Sequence, residues 1–145
     1  MRIVGVFICL VLGVGTSSRF AFADAPQEYA DLKIAKEVDG VEIATASGAV
    51  ANSARARARD VFQGKSFALI VGVGSYEHRA ALSCISTDAS RMRDFLLVEQ
   101  GYEAVFTMID GVATPDGVRH YLLNVFRQRL SPQDRLLVYL SLIHI

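Results

Sequence analysis

From Phe67 to Ser141 the chain alternates short apolar runs with capped amphipathic segments, and that alternation leaves few architectures open. Phe67-Ala-Leu-Ile-Val71 is continuously apolar and rich in β-formers, the signature of a strand buried on both faces. Ala104–Ile109 and Arg135–Ser141 repeat the pattern. Strands separated by helices at this spacing imply right-handed crossovers, hence an α/β fold with a parallel sheet covered by helices. In such sheets the chemistry gathers in the loops after the strands' carboxyl ends.

The helices carry their own boundary signals. Ser86 or Thr87 is expected to cap the first, with Asp88 suited to the positive end of its dipole. Ala89, Met92, Phe95, Leu96 and Glu99 share one face, and Gly101 is the expected stop. For the second helix, Thr114 sits at the cap, Pro115 at the first helical position and Asp116 in the first turn. Its apolar stripe reads Val118, Leu122, Val125, Phe126 and Leu130, and Pro132 prevents continuation.

Residues 1–23 read as a secretory signal peptide. Arg2 precedes an apolar run from Ile3 to Val14, and Ala21-Phe22-Ala23 offers the small residues of a cleavage site. The run is shorter than the roughly 20 residues that span a bilayer, so no stable membrane anchor is expected after cleavage. The expected location is exported, periplasmic or extracellular. Losing Arg2 and Arg19 from 15 basic residues against 15 acidic ones leaves a formal charge of −2. That balance gives no electrostatic case for nucleic acid. It also leaves Cys84 as the lone cysteine, so no internal disulfide is expected and no zinc-type spacing exists.

Residues 24–65 read as a linker or flexible arm, poor in large apolar side chains, with a short hairpin predicted from Val38 to Ala46 around Asp39-Gly40. Arg55-Ala-Arg-Ala-Arg59 reads as a solvated segment or short exposed helix, or as a processing site together with Lys65. Residues 66–145 carry the folded part.

Gly72-Val-Gly74 invites a nucleotide-binding reading, but Glu77 stands where the third glycine of the fingerprint belongs, and a carboxylate repels a pyrophosphate. Cys84 lies near a helix start with His78 upstream; the competing and favoured reading is a small structural core residue. His120 reads as a surface or flanking residue. No cofactor or metal is expected.

Phe67-Ala-Leu-Ile-Val-Gly-Val-Gly-Ser-Tyr76, then Leu82 and Asp88-Ala89, resemble the opening of the caspase and metacaspase group of cysteine peptidases. The resemblance continues through Gly101-Tyr102, Asp110, Ala113-Thr114 and Asp134–Ser141. It covers about half of such a domain. It implies a three-layer caspase-like sandwich, here a partial domain. It also implies a substrate that is a protein or peptide, cut by a Cys-His dyad. In the family the third strand leads into Gly-His-Gly, whereas this chain reads Leu142-Ile-His-Ile145. The base is therefore not carried over to His144, no catalytic residue is assigned, and Leu142–Ile145 stands apart from the family pattern.

The substrate-binding residue the resemblance implies is Asp88, facing an Arg or Lys side chain. A helix-start carboxylate that only answers the dipole is the competing reading. Arg79, in the preceding loop, leaves acidic specificity open beside the basic preference. The expected function is thus the front part of an exported caspase-like endopeptidase, itself inactive. The alternatives are a non-catalytic caspase-like binding or regulatory module and a nucleotide-binding Rossmann-like domain.

Overall fold

A computed structural model describes residues 2–9, 32–36, 39–76 and 84–142, the first stretch by its backbone alone. The expected cleavage site at 21–23 and the residues His78, Arg79, Leu82 and His144 lie outside these. The elements are β1 (Arg2–Cys9), β2 (Leu32–Lys36), β3 (Glu42–Ala46), α1 (Ala49–Val61), β4 (Ser66–Gly72) and α2 (Ile85–Val98). There follow β5 (Ala104–Ile109), a 3₁₀ turn (Asp110–Val112), α3 (Pro115–His120), a π turn (Tyr121–Val125), α4 (Phe126–Arg129) and β6 (Arg135–Ser141).

The strands form one mixed sheet in the order β1-β6-β4-β5-β3-β2. β4 is central and runs parallel to both β5 and β6, as the alternation requires. The all-parallel expectation fails at the other side. β2 and β3 form an antiparallel hairpin, and β3 pairs antiparallel with β5. The reason is the tight turn at Asp39-Gly40, with φ +77° at Gly40, which sends the chain straight back.

Successive residues of β4 serve opposite layers, as a strand buried on both faces must. Ala68 and Ile70 pack with Ala51 of α1 and Ala89, Leu96 and Leu97 of α2. Leu69 and Val71 pack with Phe106, Met108, Tyr121, Phe126 and Leu136. Helices thus cover both faces of the sheet.

Residues 24–65, expected as a linker or arm, include β2, β3 and α1. In α1, Ala51 and Ala54 are buried. Gly101, at φ +68°, lets the end of α2 meet α1: a Cβ there would lie 2.5 Å from the carbonyl carbon of Ala54. Arg55 is not a solvated side chain. It donates to the Ala46 carbonyl at 2.7 Å, and its Nε lies 3.3 Å from Glu103 Oε2 in an ion pair without hydrogen-bond geometry. Arg59, more exposed, donates to the other Glu103 oxygen at 2.7 Å.

The second predicted helix begins as read. Thr114 Oγ1 accepts the Gly117 N–H at 3.0 Å, with Pro115 first in the helix. Its predicted stripe, Val118, Leu122, Val125, Phe126 and Leu130, packs on the core, and Tyr121 joins it because the π turn inserts one residue. Tyr121 and Phe126, five apart, are then both buried against Phe106, with ring centroids 6.1 and 4.9 Å away. The first helix starts earlier than expected, after Cys84, and no side chain caps it. Its buried residues are Ile85, Ala89, Leu96, Leu97 and Val98, while Phe95 is exposed, because its last turn is enclosed by α1 as well as the sheet.

Candidate functional site

The carboxyl ends of β4, β5 and β6 meet at Gly72, Ile109 and Ser141. Gly72 fills the narrow place between them: a Cβ would fall 2.6 Å from Ile85 Cγ2 and 2.8 Å from Ile109 Cδ1. Past it, the Val73 N–H donates to the Ser141 carbonyl at 2.9 Å, so β4 and β6 stay joined one step beyond the ladder.

Asp110 then fixes the loop. Its Oδ1 accepts the N–H groups of Gly74 at 2.6 Å and Ser75 at 2.9 Å. Asp110 has φ +51°, a left-handed conformation that aspartate tolerates better than most side chains. The Tyr76 hydroxyl donates to the Val73 carbonyl at 2.9 Å. The glycine loop is therefore bound from the tip of β5, and the two amides a phosphate would use already hold a carboxylate. In the sequence Asp110 figures in the family resemblance, with no bond assigned to it. Its role depends on a partner 36 residues away, which no local pattern encodes.

Asp88 lies in the first turn of α2 and is half-buried. Its side chain makes no hydrogen bond or ion pair with the described residues. The cap position belongs to Cys84, so Asp88 does not cap the helix. Cys84 is exposed, not the core residue expected. His120 is exposed, 3.1 Å from Asn124 through its Nδ1, in keeping with a surface residue.

A second polar cluster, also missed in the sequence, sits between α2 and β3. Arg93 donates to Glu42 at 2.6 Å and to Asp94 at 2.8 Å. Burial works against its charge, but the two carboxylates more than offset that and hold its pKa above the usual arginine value. Glu42 pairs in register with Thr107, whose buried hydroxyl has no partner among the described residues. Both border a shallow cavity of about 330 Å³ with Gly40, Ile109, Gly111 and Val112.

Among the described residues no group of three or more His, Cys, Asp or Glu side chains could hold a metal ion. No described helix is long and apolar enough to cross a membrane. No family model, no curated protein and no solved structure matches the chain.

Proposed function

We propose that residues 66–141 are the leading portion of an exported caspase-like cysteine endopeptidase domain, in which Asp88 receives an Arg or Lys side chain of the substrate. One observation carries the substrate side of this reading. Asp88 is a half-buried carboxylate at the head of α2 that neither caps the helix nor pairs with a described cation. A carboxylate so placed suits a guanidinium or ammonium partner through charge-assisted hydrogen bonds. The fold reading is supported by the parallel order β6-β4-β5 with helices on both faces, the arrangement the caspase-like sandwich calls for.

The reaction itself needs a thiolate to attack the peptide carbonyl, a histidine to take the thiol proton, and N–H groups to stabilise the oxyanion. This chain carries no residue at the matching dyad positions, so the proposal assigns that chemistry to a longer polypeptide. The loop at Gly74-Ser75, held by Asp110, would then shape one wall of the cleft.

The test is to read the coding sequence beyond Ser141 for Gly-His-Gly, then a further apolar strand ending in Asp-x-Cys. A polypeptide carrying both should hydrolyse peptidyl-arginine amides and lose that activity on thiol alkylation. A reading frame with neither motif sinks the peptidase proposal and leaves the non-catalytic binding module.

A further inference from the structure

We infer that the apolar segment Arg2–Cys9 has a role besides export: it is the strand that covers the open edge of β6, and its removal turns that edge into a strand acceptor. The inference uses the reading of residues 1–23 as a removable leader, but not the peptidase proposal.

The backbone of β1 runs parallel to β6 along its whole length. The pairs run from Arg2↔Arg135 and Ile3↔Leu136, through an irregularity, to Val6↔Val138 and on to Cys9↔Ser141. β6 engages β4 with one side of its backbone, from Ser66↔Arg135 to Gly72↔Ser141. The N–H and C=O groups of its other side need either water or a second strand.

The two borders of the sheet are built differently. The border strand β2 carries Lys33 and Lys36 in its sequence, and Lys33, Ile34 and Ala35 are exposed; charge on the strand is the usual protection of a sheet edge. β6 has no such protection. After Arg135 it reads Leu-Leu-Val-Tyr-Leu, with no charge and no proline, and Leu136 and Val138 are buried. A strand of that composition with a bare edge is a template for pairing with another chain. The occupant is a segment of this same chain, in a defined register. Before cleavage the edge is closed from within; cleavage takes this partner strand away from the same seven residues of β6.

The experiment compares three proteins by amide hydrogen exchange, with peptides covering 135–141 as the readout and peptides covering β4 and β5 as the internal control for folding. They are the full chain, a chain beginning at Asp24, and the full chain carrying Phe7→Pro with Ile8→Pro. Consecutive strand residues point their N–H groups to opposite sides, so the double substitution removes at least one donor facing β6.

The full chain should protect 135–141. Both altered chains should exchange there roughly tenfold faster or more, with β4 and β5 still protected. The truncated chain should also associate at lower concentration in light-scattering measurements, and a synthetic Arg2–Cys9 peptide with a lysine tail should restore protection. If truncation also loosens β4 and β5, the peptide must restore them too. Equal exchange at 135–141 in all three proteins, or no effect of the peptide, overturns the inference. Recovery of an exported protein that retains residues 1–23 would contradict the removable leader yet leave the covered edge standing.

Discussion

Replacing Gly101 by alanine tests whether α1 is an integral part of the domain. Gly101 has φ +68°, which costs an L-residue about 1–2 kcal/mol. Its added methyl would also lie 2.5 Å from the Ala54 carbonyl carbon, 2.6 Å from that carbonyl's oxygen and 2.6 Å from the Arg55 nitrogen. These are backbone atoms inside a helix, so they yield only if α1 shifts as a body. Overpacking of this kind costs about 1–3 kcal/mol. Together the two effects predict a loss of about 3 kcal/mol, a large part of the stability of a small domain. Urea unfolding followed by circular dichroism would measure it. Gly111→Ala is the control, since a Cβ there meets nothing within 4 Å, and it should cost under about 0.5 kcal/mol. If α1 were a loose arm, it would swing aside and only the backbone cost would remain. A loss of about 1 kcal/mol or less for Gly101→Ala would therefore refute the packing argument.

Further outcomes follow from the same contacts. Thr114→Ala removes the cap on the Gly117 N–H and should cost about 1 kcal/mol in urea unfolding. Phe126→Ala empties a fully buried site against Phe106 and Tyr121 and should cost about 3–5 kcal/mol by the same assay. Asp110→Ala strips the acceptor from Gly74 and Ser75, so amide exchange at residues 73–76 should accelerate while β4 keeps its protection. Tyr102 is pushed above the usual tyrosine value by burial, with Arg135 pulling the other way. Below its unfolded value, near 10, the phenol is neutral in both states and its contribution is complete. As pH rises from there through the folded value, the unfolded chain loses its proton first and stability falls. Tyr102→Phe should flatten that alkaline decline in pH-dependent urea titrations.

What could be read in the sequence divides by the range of the forces involved. β4, β5 and β6 and the Thr114-Pro115 helix start announce themselves locally, through continuous β-rich apolar runs and a cap followed by proline. The turn at Asp39-Gly40 and β3 were legible, but β2, at Leu32–Lys36, lies upstream of the stretch expected for the hairpin, and the docking of β3 on β5 was not legible, because nothing local states which strand it meets. A short exposed helix at Arg55–Arg59 was one reading, but the length and packing of α1 were hidden, because it buries alanines and because its arginines are held by Glu103 and the Ala46 carbonyl, both outside its own sequence. Tyr121 escaped the helical stripe because a π turn changes the spacing, and 3.6-residue periodicity assumes there is none. At the candidate site, the position of Asp88 at a helix start was legible. The Asp110 clamp and the Arg93–Glu42 pair were not, being contacts 36 and 51 residues apart.

The most direct test of the functional account is charge recognition at Asp88. In the active polypeptide, kcat/KM should be measured for matched peptidyl-arginine and peptidyl-citrulline amides, which differ in charge but hardly in shape. The account predicts a preference for arginine of about 100-fold, roughly the worth of a charge-assisted pair, that collapses toward unity in Asp88→Asn. A preference for arginine that survives Asp88→Asn unchanged would contradict it.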